Sequence, residues 1–554
     1  MINHIQLLKS RPLDQPKTAI IATVGGQENY DRNYLWELIE NGTDIVRINL
    51  SHVKDHKNPE SSSYKHIQQI IKDLDEITAE KRRIVALLFD IGGPKIRVGN
   101  LQDPITIEDN DELYLIPENA KAELRDGSKV VPVTYDRLKF DVHPGHRILV
   151  NDGKIELEVM KIEQGRIKVN VKASSEKKIE SNNGINLPDS KVSEPTLTEA
   201  DLDTIRILAE LGISKSVDFL GQSFVRIPSD LAVLENQAKI FFKTLDVINN
   251  KIVIPGIIAK IETWEAVKKD LSGNYIFLDN ILKTSSGVMV ARGDLAGETS
   301  PDEVPVIQSY LSKKGIEMGK AVIIATQMLA SMTEKGNKRP RRSEASDVAN
   351  AVFDYVDAVM LSEETAKGQN PSLCVKTMRD ILLKAERFQM TEKKSLELLS
   401  LFTDQVKSLL CKVEERETIT RQLAIAEAAI SFANNLKSPA IVVSTSSGDT
   451  AIRISRYRPT QPIIAFTDIE KSARKMLLYR GIYPFLIEKK PQNFEAVISV
   501  YKGILRKMKV GDKNLIDPQN GEKVLLPLTL GIQPEESGSV AASGNTNTVY
   551  ILDF

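Results

Sequence analysis

Short runs of apolar residues, each ending in a polar or charged residue, recur along the chain and predict buried strands. Most are followed by a turn containing Gly or Ser and then by a stretch with helical spacing, for example residues 33–41 and 346–355. Continuous apolar strands alternating with helices are typical of a parallel sheet covered on both faces. Eight such units favour a (β/α)8 TIM barrel over an open sheet. The predicted strands are residues 18–23, 44–49, 84–90, 217–223, 256–262, 287–291, 321–326 and 358–361.

Two further regions differ from the barrel in pattern. Between residues 99 and 192, short alternating segments lie between Asp-Gly, Asn-Asp-Gly and Gln-Gly-Arg turns, which predicts a small β domain inserted into a barrel loop. A charged helical stretch, residues 375–417, leads into a second alternation of helices and strands that ends at residues 549–553 and predicts an open α/β domain. The alternative is one large, irregular α/β chain.

We therefore expect four parts along the chain. They are an N-terminal segment (1–17), a catalytic barrel (18–93 and 194–370), an inserted β-barrel domain (94–193) and a C-terminal α/β domain (371–554).

The composition narrows the classes of partner. The 554 residues include 74 Lys plus Arg and 75 Asp plus Glu, a net charge of −1. Proteins that coat nucleic acid or anionic membranes need a basic excess, so we expect neither partner. Two cysteines, Cys374 and Cys411, are too few for a disulfide framework, and no apolar window is long enough to span a bilayer. These features predict a soluble, cytoplasmic protein.

The carboxyl ends of barrel strands carry the active site in such folds. Lys260 and Glu262 are two residues apart at the end of the fifth predicted strand and therefore point to the same side. Asp294 follows the sixth strand, after Gly293, which exposes a backbone N–H. Two carboxylates together with substrate oxygens and water suit Mg²⁺. Taken singly, each of these charges has a simpler explanation as a solvated loop residue.

A second polar group ends other predicted strands: Arg47, Asn49 and Ser51 on the second, Asp90 with Arg97 shortly after it on the third, and Thr326 on the seventh. Guanidinium groups match phosphate oxygens with two parallel hydrogen bonds, so two arginines near a metal favour a phosphorylated anion. The alternative is that Arg47 and Asp90 form only a structural ion pair. Both groups together predict a site for a phosphorylated, carboxylated small molecule and a metal.

These positions lie in motifs that resemble the pyruvate kinase family along nearly the whole chain, from residue 17 to the last strand. The long strings in the right order are much more specific than a glycine-loop pattern. They are DIVRINLSH (44–52), FDIGGPKIRVG (89–99), GINLP (184–188), DFLGQSFVR (218–226), IAKIE (258–262), VMVARGDL (288–295), IATQMLASM (324–332) and SDVANAVFDYVDAVMLSEETAKG (346–368).

The resemblance implies transfer of the phosphoryl group of phosphoenolpyruvate to ADP, giving pyruvate and ATP, the final step of glycolysis, with Mg²⁺ or Mn²⁺ as cofactor. It implies a homotetramer and an inserted domain that closes as a lid. For the metal and the phosphate, the resemblance implies that Glu262 and Asp294 hold the metal, Lys260 stabilises the transferring phosphoryl group and Arg47 binds phosphate. For the rest of the substrate, it implies that the N–H groups of Gly293 and Asp294 and the hydroxyl of Thr326 hold the carboxylate and that Ser223 lies nearby. It also implies that the nucleotide side contains Asn49, His52 and Arg97. Thr326 would also lie on the route by which enolpyruvate is reprotonated.

The chain departs from the family pattern at the expected monovalent-cation site. Many members need K⁺, held by groups that correspond to Asn49, Ser51, Asp90 and the carbonyl of Ile91, and carry an acidic residue where this chain has Lys95. Because an ammonium group can supply the positive charge that K⁺ otherwise brings, we predict activity without K⁺. The alternative is a solvated Lys95.

Departures also occur on the nucleotide side, at Gly26 and Asn183, so nucleotide preference is not predicted. In the C-terminal domain, a loop resembles the family's sugar-phosphate effector loop and offers hydroxyl groups to a phosphate. Its candidate residues are Thr445, Ser446, Ser447 and Thr450. Asp449 disfavours a second phosphate, and the alternative is a helix cap by Ser447 or Thr445.

Two other functions stay open at this point. One is a metal-assisted lyase acting on a phosphoenolate or keto acid, which would have no need of the nucleotide side. The other is a weakened paralogue that senses metabolites or acts as a scaffold, for which Gly26 and Asn183 are the only support.

Overall fold

The computed structural model describes residues 8–9, 11–26, 30–118, 128–151, 153–163, 165–213, 216–241, 247–248, 251–252, 254–391, 416–488, 493–517, 523–530 and 548–554. Cys411 and most of the predicted charged helical stretch lie outside these residues.

Eight parallel strands form a closed barrel whose neighbours follow the order of the chain, which confirms the predicted fold class. The strands are β1 (Ala19–Thr23), β2 (Ile45–Asn49), β3 (Ala86–Ile91), β4 (Phe219–Gln222), β5 (Gly256–Ile261), β6 (Gly287–Ala291), β7 (Ala321–Ala325) and β8 (Ala358–Leu361). Every residue of β1, β3, β6 and β7 is buried, because the barrel interior covers one face and the helices cover the other.

The helices around the barrel lie between and after these strands. They are Arg32–Asn41, Ser62–Lys81, Glu199–Glu210, Pro228–Phe241, Leu278–Thr284, Arg292–Glu298, Glu303–Met318, Arg342–Phe353, Glu363–Ala366 and Pro371–Thr391, with 3-10 turns at Leu50–His52 and Ala330–Thr333 and a strand pair at Val247–Ile248 and Lys251–Ile252. The helix that re-enters the barrel after the insertion begins with a capping box, in which Thr198 and Asp201 bond each other's backbone N–H. The other oxygen of Asp201 accepts the N–H of Gly93 at 3.3 Å, so this cap joins the two ends of the insertion.

The inserted domain is a small β structure with its own apolar core. Its main sheet contains Glu112–Pro117, Val130–Val133, Arg147–Val150, Ile155–Glu163, Arg166–Ser174 and Ile185–Asn186, beside the pair Ile105–Thr106 and Lys178–Ile179 and the short helix Leu138–Asp141. Two single bridges close the sheet, because Val98 pairs with Val133 and Arg97 pairs with Gly184. Residues 97–98 therefore join the two edges into a small barrel.

The C-terminal domain is an open sheet flanked by helices. In spatial order its strands are Leu8–Lys9, Ile482–Leu486, Ile463–Thr467, Ile441–Ser444, Leu525–Leu530 and Thr548–Asp553, of which the first and last run antiparallel to their neighbours. Its helices are Arg416–Asn435, Asp449–Ser455, Glu470–Met476 and Phe494–Leu505, and Lys509–Val510 pairs with Lys513–Asn514. The start of the chain thus supplies an edge strand to its last domain. Within the described ranges, no helix is long and apolar enough to cross a membrane.

Three buried aspartates at the amino ends of barrel strands attach the barrel to the rest of the chain. Each accepts a backbone N–H from a neighbouring strand and pairs with an arginine from outside the barrel: Asp44 with Ile20 (3.0 Å) and Arg11 (2.7 Å), Asp218 with Leu87 (2.9 Å) and Arg474 (2.9 Å), and Asp357 with Val322 (3.0 Å) and Arg458 (2.7 Å). Between these pairs, one apolar cluster runs from the barrel interior into the C-terminal domain. The two domains therefore share a continuous core with charged links around it.

Replacing Arg474 with Met removes the cation that faces the buried Asp218, whose carboxyl pKa burial already raises. Because an uncompensated buried charge is strongly unfavourable, we expect a loss of about 3–5 kcal/mol in the free energy of unfolding, measured by chemical denaturation. Adding Asp218→Asn should recover part of the loss. The control is Arg206→Met, which breaks a surface pair with Asp203 and should leave the free energy of unfolding close to that of the parent chain. A double variant less stable than Arg474→Met would contradict this explanation.

Candidate active site

The polar residues predicted to carry the chemistry meet at the carboxyl ends of the barrel strands. Arg47 and Asn49 lie on β2, Asp90 on β3 and Lys260 on β5. Ser223, Glu262 and Thr326 directly follow β4, β5 and β7, and Asp294 lies in the helix that follows β6. Six strands thus contribute to one end of the barrel, which is where parallel barrels build their sites.

Asp90 is the centre of a buried ion network. Arg47 bonds it through Nε at 2.8 Å and also through Nη2, and the Nη1 of Arg47 donates to Thr23 Oγ1 at 2.8 Å. Lys260 Nζ lies 3.3 Å from the other Asp90 oxygen and donates to Ser223 Oγ at 2.6 Å. Burial alone would raise the pKa of Asp90, but Lys260 and Arg47 hold it below its usual range. The ion pair offered as an alternative is present, and Lys260 adds a second cation to the same carboxylate.

Glu262 is a buried carboxylate with one oxygen unsatisfied. Its Oε1 accepts the backbone N–H of Phe224 at 2.7 Å, whereas its buried Oε2 accepts no hydrogen bond and lies 3.4 Å from Lys260 Nζ. Burial raises the pKa of Glu262, and the nearby charge of Asp294 adds to the effect although Lys260 opposes it. A bound cation would relieve both causes.

The carboxylate oxygens of Glu262 and Asp294 are ligands of the kind that Mg²⁺ prefers. Among the residues described, no three or more His, Cys, Asp and Glu side chains group together as a metal cage. A cation held here would therefore keep positions for substrate oxygens and water, as Mg²⁺ usually does. The residues present fit that ion.

Lys95 lies on this same carboxylate side. Its Nζ is 2.8 Å from Asp294 Oδ1. Three of the predicted monovalent-cation ligands have partners within the protein. Asp90 pairs with Arg47 and Lys260, Asn49 Oδ1 accepts the N–H of Ser51 at 3.1 Å, and the carbonyl of Ile91 accepts Ser223 Oγ at 2.6 Å. Lys95 is thus partly exposed and forms an ion pair with a predicted metal ligand.

Thr326 lies in a strained turn after β7. Its φ is +70° and that of Gln327 is +56°, a region that β-branched residues rarely adopt. Strain of this kind costs about 1–3 kcal/mol per residue and persists only where surrounding contacts impose it. Gly293 makes room for the turn, because a Cβ there would lie 3.2 Å from Thr326 Cγ2.

Arg292 supplies contacts that hold the strained turn, and sequence reasoning did not single it out. It donates from Nε to the carbonyl of Ala325 at 3.2 Å and from Nη2 to the carbonyl of Thr326 at 2.7 Å, and it forms an ion pair with Asp347. The available signal was its position, since it follows the end of β6 and directly precedes Gly293.

The predicted nucleotide side is electropositive. Burial lowers the pKa of His52, and the neighbouring cations Lys367 and Arg97 lower it further. Arg97 donates from Nη1 to the carbonyl of Asn182 at 3.0 Å. Asn183, where many family members have a lysine, accepts the N–H of Glu180 through Oδ1 at 2.7 Å. The side chain of Asn183 therefore stabilises the turn at residues 180–183.

A further carboxylate, the partly buried Glu298, connects the inserted domain to the barrel. The side chain of Asn186 donates to it at 2.9 Å. Burial raises its pKa to about 7, opposed by hydrogen bonds from Asn186 and from the backbone of Trp264 and Leu187, while Asp294 adds to the rise. Because Glu298 ends the helix that carries Asp294, it links the return strand of the inserted domain to the predicted metal ligand. Sequence reasoning missed this residue.

The loop predicted to bind an effector precedes the helix Asp449–Ser455. Thr445 Oγ1 accepts the N–H of Gly448 at 3.0 Å, and Ser447 Oγ accepts the N–H of Asp449 at 3.4 Å. Ser446 and Thr450 are buried beside them. The hydroxyl groups of Thr445 and Ser447 therefore support the start of this helix.

Comparison with known proteins relates the chain to one family. The pyruvate kinase barrel domain matches residues 15–375, and the pyruvate kinase alpha/beta domain matches residues 423–552. The chain is 38% identical over 475 residues to a pyruvate kinase of Staphylococcus saprophyticus, covering 85% of this chain and 72% of that protein. It is 35% identical over 525 residues to a pyruvate kinase of Staphylococcus aureus, covering 94% and 79%. A crystal structure of a pyruvate kinase from Cryptosporidium parvum matches with a TM-score of 0.79 at 28% identity, covering 97% and 96% of the two chains.

Replacing Glu298 with Gln should change how stability depends on pH. The carboxyl pKa is raised from 4.5 to about 7, so the protonated form stabilises the folded state. That contribution is fully present below pH 4.5 and is lost as the pH rises to about 7. We expect the variant to gain stability over the parent chain across this interval, by at most about 3 kcal/mol, in thermal melts at each pH. The exposed control Glu235→Gln should follow the parent, and a pH-independent difference for Glu298→Gln would contradict the assignment.

Proposed function

This chain belongs to the pyruvate kinase family of phosphotransferases, and we propose that it transfers the phosphoryl group of phosphoenolpyruvate to ADP with Mg²⁺ as cofactor, giving pyruvate and ATP. The observation that carries the proposal is that two cations, Arg47 and Lys260, both pair with Asp90 at the same end of the barrel as the buried oxygen of Glu262 that accepts no hydrogen bond. Cations for a phosphate and an open oxygen for a metal are what this transfer needs.

Arg47 and Lys260 bind and orient the phosphate. Both are held by Asp90, so they need no reorganisation when the substrate arrives. Burial would lower the pKa of Lys260, but Asp90 and Glu262 keep it raised, and the group is therefore a permanent cation. A fixed cation in a site with little water stabilises the charge on the transferring group more strongly than one in solution.

Glu262 and Asp294 would hold the divalent cation, because Glu262 Oε2 has no hydrogen-bond partner and Asp294 supplies a second carboxylate. When bound, Mg²⁺ neutralises charge on the phosphate oxygens. Lys95 forms an ion pair with Asp294 and would share that carboxylate with the metal. Mn²⁺ prefers similar oxygen ligands and would substitute.

The N–H groups of Gly293 and Asp294 and the hydroxyl of Thr326 would hold the carboxylate of the substrate. Gly293 and Thr326 are neighbours, and the left-handed turn at Thr326 fixes its hydroxyl relative to the start of the helix after β6. The same hydroxyl would serve the route by which the enol is reprotonated. Ser223 positions Lys260 through their hydrogen bond.

We assign the inserted domain, residues 94–193, the role of a lid that excludes water from the transfer. The barrel (18–93 and 194–370) and the C-terminal domain (371–554) complete the proposed division, with residues 1–17 as an N-terminal segment. ADP would bind on the side of Asn49, His52 and Arg97, where cations lower the pKa of His52. That electropositive surface suits a polyphosphate.

The remaining expectations become proposals of the same kind. We propose that the reaction closes glycolysis in the cytoplasm, that the chain forms a homotetramer, and that a sugar phosphate or nucleotide binds at Thr445, Ser446, Ser447 and Thr450. An effector would compete with the hydrogen bonds that the hydroxyl oxygens of Thr445 and Ser447 already accept from the N–H groups of Gly448 and Asp449. Membership of the pyruvate kinase family disfavours a lyase. The assay of Mg²⁺-dependent pyruvate formation distinguishes an active enzyme from a weakened paralogue.

The proposal is tested with phosphoenolpyruvate, ADP and the purified chain, with and without Mg²⁺. We expect pyruvate only when Mg²⁺ is present. Glu262→Gln should lower kcat/KM by at least about 100-fold and weaken Mn²⁺ binding measured by electron paramagnetic resonance, since even outer-shell partners of metals cost up to that much. The exposed control Glu303→Gln should match the parent chain. No Mg²⁺-dependent pyruvate would contradict the function and favour the weakened paralogue.

We propose that activity does not need K⁺, because the Lys95 ammonium already supplies a cation inside the site. Lys95→Glu should create a K⁺ requirement, visible when initial rates are compared in KCl and in tetramethylammonium chloride of equal ionic strength. Lys95→Arg keeps the charge and should stay independent of K⁺. A strict requirement in the parent chain would disprove the proposal.

A further inference from the structure

We propose that Arg292 is a positioning residue, which together with Asp347 holds the turn at residues 325–328 in the conformation that directs Thr326 at the substrate. The inference deepens the proposed function and rests on it. Neither residue has a role in the site as predicted from the sequence. Their hydrogen bonds lead to the turn that carries Thr326, so Arg292 acts through that residue.

The guanidinium of Arg292 uses all three of its nitrogens on this turn and its support. Nε donates to the carbonyl of Ala325 at 3.2 Å, and Nη2 donates to the carbonyl of Thr326 at 2.7 Å and contacts Met328 Sδ at 2.9 Å. Nη1 bonds the carboxylate of Asp347. The side chain of Arg292 is only 12% exposed, so these bonds face little competition from water.

The turn needs this support because two consecutive residues with side chains take left-handed conformations. The φ angles are +70° at Thr326 and +56° at Gln327. The carbonyl of Thr326 lies just beyond Ala325, the last residue of β7 that pairs with β6. Its hydrogen bond from Arg292 holds it in place. The planar fork of the arginine bonds both carbonyls and the carboxylate of Asp347 from three separate nitrogens, a spread of positions that the single nitrogen of a lysine cannot reproduce.

Asp347 and Glu364 hold Arg292 and the chain that follows the turn. Asp347 lies on the helix Arg342–Phe353 and anchors the outer side of the guanidinium. Glu364 accepts the N–H of Leu329 at 3.0 Å and so holds the chain just after the turn. Asp347 also neutralises Arg292, which leaves attraction of the anionic substrate to Arg47 and Lys260.

The kinetic test compares Arg292→Lys and Asp347→Asn with the parent chain in the phosphoenolpyruvate and ADP assay. A misplacement of about 1 Å costs up to about 100-fold, so we expect Arg292→Lys to lower kcat/KM for phosphoenolpyruvate 10- to 100-fold. Asp347→Asn should act in the same direction and more weakly, and KM for ADP should not change in either. The control Arg206→Lys, in an exposed ion pair with Asp203, should have no effect.

A double-variant cycle with Thr326→Val separates positioning from general destabilisation. If Arg292 acts through the hydroxyl of Thr326, Arg292→Lys has little further effect once that hydroxyl is gone. If the two fold-changes multiply, the proposal is overturned, because Arg292 then acts by another route.

Hydrogen–deuterium exchange supplies a readout that does not depend on activity. Amides of residues 326–329 should exchange faster in Arg292→Lys, while amides of β1 stay at the parent rate. Unchanged exchange in the turn would overturn the proposal that Arg292 holds it. If the parent chain forms no pyruvate but the turn still exchanges faster in Arg292→Lys, the result contradicts the proposed function and supports the role of Arg292 in holding the turn.

Discussion

Closure of eight parallel strands into one barrel is the constraint on which the rest of the structure depends. Parallel strands in a closed sheet all end on the same rim, so residues distant along the chain meet there. Arg47 on β2 and Lys260 on β5 thereby share the carboxylate of Asp90 on β3. Ionic contacts of this kind are strong only because the barrel removes them from water.

Buried carboxylates occur at both rims of the barrel. Those at the amino rim link the barrel to other parts of the chain, whereas Glu262 at the carboxyl rim lies in the predicted metal site. At the amino rim, Asp44, Asp218 and Asp357 each have an arginine and a backbone N–H as partners. At the carboxyl rim, Glu262 keeps one buried oxygen without a hydrogen bond, which is costly unless a cation binds there. Asp218 and Asp357 link the barrel to arginines of the C-terminal domain, and Asp44 links it to Arg11 of the N-terminal segment. Glu262 instead lies beside Lys260 at the end of the barrel where we propose the reaction.

Much of this arrangement could be predicted from the sequence because short-range patterns encode it. Continuous apolar runs predicted the strands, and the spacing of Lys260 and Glu262 put both side chains on one side of β5. Lys95 was predicted to replace a monovalent cation, but its contact with Asp294 depends on how the inserted domain returns to the barrel. Arg292 and Glu298 were missed for the same reason, since their partners Asp347 and Asn186 come from other elements.

The sequence by itself determined the eight strands, the interruption after the third, the charged residues at strand ends and the family. These depend on periodicity and on motifs, both of which are local. Only the tertiary structure decided which charges meet, which turn is strained, and that Leu8–Lys9 completes the edge of the last sheet. Ion pairs and left-handed turns are set by distances between elements far apart in the chain, and burial determines how strongly each charge acts.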